Sequence, residues 1–242
     1  MEKTLCLDFG NTRLKAALFS GRDFVEELVL PDASPETILQ LIRQYQPTKS
    51  ILSSVIRHPA EIEDLLKAHT RFHPLGHTSK LTFSTPVGKP ETIGADRLAM
   101  CAAAVDMFPN QHNLAIGLGS CITYNFISNR HEFLGGSISP GMTMRFRSMN
   151  EYTALLPMIE PEHHFPLVGY DTKTNLLSGV ILGMSKEIDG IIDAYALKYS
   201  NFNVLLTGGD MPFFVPHLKN RIFADPNLIY KGLYAISEYN NR

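Results

Sequence analysis

Leu5-Cys-Leu-Asp-Phe-Gly-Asn-Thr-Arg-Leu-Lys-Ala-Ala-Leu-Phe19 is the stretch that decides how the rest of the chain is read. Leu5 and Leu7 lead into Asp8, Gly10 and Asn11 follow, and an apolar run resumes from Leu14 to Phe19. The pattern predicts a strand, a tight turn and a returning strand, with Gly10 and Asn11 supplying the positive φ that a short hairpin needs. Such a turn exposes backbone N–H groups together with Asn11, Thr12 and Lys15, while Asp8 leaves the strand beside them. Those donors suit an oxyanion or a phosphate, and the carboxylate suits a metal-bound phosphate. An ordinary surface hairpin carries the same signature, so this stretch alone leaves both readings open.

The second half repeats the design. Leu114-Ala-Ile-Gly-Leu-Gly-Ser-Cys-Ile-Thr-Tyr-Asn-Phe-Ile127 begins 109 residues after Leu5 and again reads apolar strand, glycine turn, apolar strand. Gly10 falls on Gly119, Asn11 on Ser120 and Asp8 on Gly117. A repeat at half the chain length predicts two similar lobes, each offering one phosphate-facing turn to a shared cleft. Pro109-Asn110 breaks the helix before the repeat, which puts the lobes at residues 1–111 and 112–242.

Between these anchors strands alternate with helices, the mark of an α/β fold. Phe24 to Leu30 reads as a third strand. Ser34 and Pro35 form a helix start, with apolar residues on one face up to Tyr45. A strand over Ser50–Val55 and a helix near Pro59–Ala68 follow. The Ser-, Thr-, Pro- and Gly-rich run from Thr78 to Thr92 reads as a loop that delivers the chain into Gly94-Ala95-Asp96-Arg97. That tetrapeptide opens an alanine-rich helix reaching Phe108. Phe133–Gly141 is a strand ending in a glycine turn, and a helix is expected from Met142 to Leu155, stopped by Pro157. The longest helical periodicity runs from Asp171-Thr172 to about Tyr199. Phe202–Thr207 is a strand ending at Gly208-Gly209, where backbone can approach a ligand, and a helix near Lys231–Tyr239 closes the chain.

Composition narrows the function classes. The 242 residues are 44% hydrophobic and 19% charged with a net charge of −2, which gives no electrostatic case for nucleic acid or for an anionic membrane surface. No apolar run approaches a membrane span, and no signal peptide fits ahead of Asp8. The three cysteines, Cys6, Cys101 and Cys121, lie in apolar contexts without a CxxC pair, which suits reduced core thiols in a cytoplasmic protein. The nine histidines show no metal spacing, and His163-His164 reads as surface. Met142–Met149, with two arginines, reads as a solvated helix face. Neither a Walker A loop nor a dinucleotide GxGxxG is present. The glycines instead punctuate strand ends, as a cleft lined by backbone donors requires. Asp96 at a helix start is either a carboxylate stabilised by the helix dipole or a base that accepts a proton from a substrate hydroxyl, with Arg97 holding an anion or a phosphoryl group.

Jointly, Asp8-Phe-Gly-Asn-Thr-Arg-Leu-Lys15, Gly94-Ala-Asp-Arg97, Gly135-Gly-Ser-Ile-Ser-Pro-Gly141 with Thr153-Ala-Leu-Leu-Pro157, Thr172 ahead of Leu177-Ser-Gly179, and Thr207-Gly-Gly209 resemble the type III pantothenate kinases of the acetate and sugar kinase/Hsc70/actin superfamily. The matches cover the chain end to end and in order. The resemblance implies two ribonuclease-H-like lobes of the actin-like ATPase fold with a cleft between them, and a homodimer with pantothenate at the subunit interface. It implies transfer of the ATP γ-phosphoryl group to the pantothenate hydroxyl, the first step of coenzyme A synthesis. Asp96 would be the base, and Asp8 would orient Mg²⁺-bound phosphates through water. Phosphates would lie on Asp8, Phe9, Gly10, Asn11, Thr12, Arg13, Leu14, Lys15, Ser120, Gly208 and Gly209. Gly94, Ala95, Asp96, Arg97 and Thr172 would hold pantothenate. Two positions depart from the family pattern. Gly117 stands where the family has an aspartate associated with a monovalent cation, which leaves dependence on K⁺ or NH₄⁺ open. Val87 stands where it tends to have a tyrosine. A catalytically impaired, nucleotide-binding regulator, like the Bvg accessory factor relatives, is the alternative that Gly117 motivates.

Overall fold

A computed structural model describes residues 1–241. Two five-stranded sheets carry the architecture. The first contains β1 (Lys3–Phe9), β2 (Leu14–Ser20), β3 (Asp23–Leu30), β4 (Lys49–Ser54) and β5 (Arg71–Pro74), in the order β3-β2-β1-β4-β5. The second contains β6 (His112–Leu118), β7 (Cys121–Ile127), β8 (Phe133–Pro140), β9 (Phe202–Thr207) and β10 (Phe223–Ala224), in the order β10-β9-β6-β7-β8. Read from the other edge, the second order is β8-β7-β6-β9-β10, the same topology strand for strand. The internal repeat seen in the sequence is therefore a repeat of a whole sheet.

In the first sheet β1, β2 and β3 form an antiparallel meander, while β4 runs parallel to β1 and β5 parallel to β4. The helices α1 (Pro35–Tyr45) and α2 (Ala60–His69) make the crossovers that parallel pairing demands. Ser34 caps α1 by accepting from the Thr37 N–H at 3.2 Å, and Pro35 occupies the first turn, as expected. Leu5, Leu7, Phe9, Leu18, Ile38, Ile42, Leu52, Ile62 and Leu66 fill the core on that side.

The opening hairpin is present, but its turn differs from the expectation. Gly10 to Arg13 form a four-residue connection closed by Gly10 N–H donating to Arg13 O at 3.1 Å. Neither Gly10 nor Asn11 adopts positive φ. A four-residue loop reverses the chain without the left-handed residues that a two-residue turn requires. In the second sheet Gly119 and Ser120 alone join β6 to β7, so the second turn is shorter by two residues.

By contacts the chain forms two compact units. Among the described residues, one holds 1–110, 127–135 and 227–241; the other holds 111–126 and 136–226. The chain leaves the first unit after Asn110 and then re-enters it twice, so the units are not the two continuous halves 1–111 and 112–242. Its final return is α7 (Leu228–Asn240), which packs against α3 (Ala95–Met107). Both faces of α3 are covered, and nine of its residues from Ala95 to Val105 are buried, which is why alanine dominates it. Small side chains let the two helices meet backbone to backbone: a Cβ added at Gly232 would lie 1.8 Å from Ala99 O. Gly232→Ala is therefore expected to destabilise the fold by about 2 kcal/mol or more, since neither helix backbone can yield cheaply. A urea titration checks this; a midpoint equal to wild type would show that the crossing relaxes freely. Lys49 of β4 ties α7 down further, its ammonium held at 2.9 Å from Glu238 and 3.0 Å from Glu2.

In the second unit α5 (Thr172–Lys198) supplies Leu176, Val180, Ile181, Met184, Ile188 and Ile192 to a core shared with Ile116, Tyr124 and Phe126. The helix α4 (Met142–Glu151) ends before the Leu155 expected from the sequence. Asn150 Nδ2 donates to Leu156 O at 2.7 Å and Thr153 Oγ1 to Met149 O at 2.7 Å, so the chain folds back on the helix end before Pro157 is reached. Short elements without periodicity escaped the sequence: β5, β10 and the helix α6 (Met211–Phe214). Cys6 and Cys101 are buried and Cys121 is partly exposed; all three thiols are free. No helix among the described residues is long and apolar enough to cross a membrane.

Candidate active site

In the first unit the chemistry gathers at the end of β1. Asp8 stands opposite Lys15 in the antiparallel register with β2 and opposite Ser53 in the parallel register with β4. Ser53 Oγ donates to Asp8 Oδ1 at 3.3 Å. Burial, with the negative charge of Asp96 added to it, pushes the Asp8 carboxyl up to about 6, against the opposing pull of Ser53 and Lys15. Lys15 is not a free cation, because its ammonium is paired with Glu27 of β3 at 2.5 Å. Asn11, Thr12 and Arg13 are exposed around the turn, whereas Phe9 is a core residue and Leu14 packs against that core. Phe9 and Leu14 can therefore offer a ligand only their backbone.

Asp96 reaches the same region from the N-terminus of α3. Gly94 caps that helix, and a Cβ on Gly94 would lie 2.5 Å from Asp96 Oδ1. The Asp96 carboxylate thus folds back over the Gly94 Cα, which explains the glycine. Burial raises the Asp96 carboxyl, while the Arg97 N–H, the Arg97 charge and its own N–H oppose the rise. The Arg97 guanidinium carbon lies 5.6 Å from the centre of the Phe133 ring. Phe133 is in turn fixed by the long loop: Ser84 N–H donates to His131 O and Phe133 N–H to Ser84 O, both at 2.8 Å. Asp8 and Asp96 are a half-buried like-charge pair, which disfavours double ionisation in the absence of a cation.

The second unit brings three turns together. Ser120, exposed between β6 and β7, accepts through its carbonyl from Gly141 N–H at 3.1 Å. Asp210 N–H, just past Gly208 and Gly209, donates to Leu118 O at 3.2 Å. Gly208 has φ +108° and lies so close that a Cβ would be 2.1 Å from Leu118 O. Only glycine fits there on both counts. Thr172 stands elsewhere in this unit, exposed on the first turn of α5, whose cap is the reciprocal Asp171–Thr174 pair.

Several contributors carried no sequence signal. Ser53 is 45 residues from Asp8 and reaches it only through parallel pairing. Glu27 meets Lys15 across a strand pair. Arg145, expected on a solvated face, donates instead to Pro140 O, Ser139 Oγ and Glu187.

The donor set fits a hard divalent cation in part. No cluster of three or more His, Cys, Asp or Glu among the described residues could hold a metal alone. Asp8 as a single carboxylate oxygen donor matches the way Mg²⁺ is shared between a protein and substrate phosphates. A monovalent cation fits poorly at Gly117. Its partner in the β6–β9 register is Thr207, buried, whose hydroxyl has no hydrogen-bond partner among the described residues. One neutral oxygen beside a glycine is not a cation cage.

The family described as type III pantothenate kinase matches residues 4–194. A type III pantothenate kinase of Christiangramia forsetii is 37% identical over 238 residues, 98% of each chain. One from Bacteroides fragilis (strain YCH46) is 37% identical over 243 residues, again 98% of each chain. Among solved structures, a Baf family protein of Campylobacter jejuni superposes with a TM-score of 0.63 at 22% identity, covering 98% of each chain. A glucokinase from an Antarctic psychrotroph superposes at 0.53 and 10% identity, covering 99% of each. These two speak for the two-lobed α/β fold alone. Matched over most of its length by the family and identical at more than a third of positions to relatives of the same size, the chain belongs to the type III pantothenate kinase family.

Proposed function

We propose that the protein phosphorylates pantothenate at the expense of ATP, giving 4′-phosphopantothenate, the first step of coenzyme A synthesis. The observation that carries this reading is the Asp8–Asp96 pair, two half-buried carboxylates of one unit held by a strand end and a helix start. Phosphoryl transfer asks a protein for positioning and charge stabilisation more than for covalent chemistry. Asp96 accepts the proton of the pantothenate hydroxyl, and its raised pKa makes it a better base at neutral pH than an exposed aspartate. Asp8 orients the phosphate assembly; Mg²⁺, when bound with ATP, supplies charge neutralisation of the transferring group. The Gly10–Arg13 turn and Lys15 face phosphate in the first unit, and Ser120, Gly208 and Gly209 in the second. A phosphate reaching Lys15 competes with Glu27, so that contact is weaker than a free lysine would give. Arg97, with Gly94, Ala95 and Thr172, binds pantothenate.

We further infer a homodimer in the cytoplasm. Tyr152, Leu155, Leu167, Val168 and Tyr170, all in the segment leading to Thr172, expose between 79% and 92% of their surface, as a covered interface would explain. Sedimentation giving a monomer mass at micromolar concentration would remove that inference. The test of the activity is a coupled assay with ATP, Mg²⁺ and pantothenate, run with Na⁺, K⁺ or NH₄⁺. Turnover is expected, and it should differ little between Na⁺ and K⁺ because of Gly117. Absence of turnover in every salt, with nucleotide still bound, would overturn the assignment.

A further inference from the structure

We propose that Arg145, Glu187 and Tyr124 form a clasp that positions the Gly119–Ser120 turn for the nucleotide, a role that rests on the kinase reading given above. The clasp lies wholly in the second unit. Arg145, on α4, donates from Nε to Pro140 O at 2.9 Å and from Nη2 to Ser139 Oγ at 2.9 Å. Its guanidinium also pairs with Glu187 of α5. The hydroxyl of Tyr124, a fully buried residue of β7, donates to the other oxygen of Glu187 at 3.3 Å. One fork thus pins the last residues of β8 to the long helix and to the neighbouring strand.

Those residues are what the phosphate turn rests on. Gly141 follows Pro140 directly and donates its N–H to Ser120 O at 3.1 Å. The approach is so close that a Cβ on Gly141 would be 2.1 Å from Gly119 O and 2.7 Å from Ser120 O. Arg145 N–H closes the loop by donating to Gly141 O at 3.0 Å. Ser120 is therefore held through Gly141 by a side chain anchored on β8 and α5 rather than on the turn itself. The turn has only two residues and is closed by Gly119 N–H donating to Cys121 O at 3.1 Å; the Gly141 N–H is the hold on the Ser120 carbonyl that comes from outside the hairpin. A lysine at 145 retains the charge but not the planar fork that reaches Ser139, Pro140 and Glu187 at once.

Arg145→Lys and Glu187→Gln are expected to raise the Kd of a fluorescent ATP analogue and the KM for ATP by about 5- to 20-fold, the scale of a turn misplaced by a fraction of an ångström. The KM for pantothenate should stay within about 2-fold of wild type. Asp193→Asn, on the same helix as Glu187, breaks the 2.6 Å pair with Lys219; it is the structural control and should leave nucleotide binding unchanged. Should either variant fail to fold, the other and Tyr124→Phe carry the test. Wild-type Kd for the analogue in the folded variants, or KM values for both substrates rising together, would overturn the clasp. Wild-type protein that binds the analogue yet fails to phosphorylate pantothenate would instead overturn the kinase reading, and the clasp would still be measured by the Kd.

Discussion

Replacing Asp8 by Asn is expected to lower kcat by about 10³-fold or more while making the ligand-free protein more stable at neutral pH. On the proposed mechanism, the loss of turnover follows from removing the one carboxylate among the first-unit groups assigned to phosphate. In the second unit Gly117 stands in the corresponding place and cannot substitute for it. The gain in stability follows from burial. In the folded chain the Asp8 carboxyl is pushed up to about 6 from an ordinary value of 3.8. Below about pH 4 it is protonated in both folded and unfolded chains and costs nothing. As pH rises from 4 to 6 the unfolded chain ionises first, so the folded state loses ground. Above 6 the full penalty is present, on the order of 2–3 kcal/mol at most, since Asp8 keeps some solvent. Asparagine still accepts from Ser53 and carries no charge for Asp96 to repel. The stability difference between variant and wild type should therefore be near zero at pH 4, grow to pH 6 and level off. Urea midpoints at pH 4, 5, 6 and 7 give this directly. A variant less stable than wild type at pH 7, or a difference independent of pH, would contradict the raised carboxyl.

The same pair shows why part of the site was legible in the sequence and part was not. Asp8 and its echo at Gly117 could be read because both lie in hairpins, whose strands are adjacent in sequence and whose turns are marked by glycine. The match is close: β1 and β6 are offset by 109 residues at both ends. The different lengths of the two turns could not be read, since Asn11 to Arg13 and Ser120-Cys121 are equally polar breaks between apolar runs. Periodicity likewise placed α5 and the strand Phe202–Thr207, whose bounds match the expectation. Contacts made across parallel strands or between distant helices leave no local trace. Ser53 beside Asp8, Gly232 against Ala99 and Glu187 beside Arg145 are each ordinary residues in their own segments. Arg145 shows the point best: its neighbours in sequence describe a solvated helix, and the acid that engages it comes from 42 residues away.

Asp96→Asn separates base catalysis from binding. Its kcat is expected to fall by about 10²-fold or more with KM values for ATP and pantothenate within a few-fold of wild type. Asparagine retains the shape that accepts from the Arg97 N–H and leaves the Arg97 guanidinium over Phe133, so the substrate contacts persist while the proton acceptor is lost. The pH profile discriminates further. Wild-type kcat/KM should fall on the acid side as the raised carboxyls take up protons, with Asp8 contributing near pH 6 in the free enzyme. In Asp96→Asn the repulsion from residue 96 is gone, so Asp8 should ionise more easily and the residual activity should keep its plateau to lower pH. Gly94→Ala tests the same carboxylate from outside it. The added methyl would meet Asp96 Oδ1 at 2.5 Å, and the carboxylate, being the movable partner, must swing away. That variant should fold normally and lose about 10-fold in kcat, because a base displaced by an ångström loses its line to the hydroxyl proton. Wild-type kcat in Asp96→Asn would remove Asp96 as the base. Wild-type kcat in Gly94→Ala alone would mean that the carboxylate moves into place only when substrate is bound.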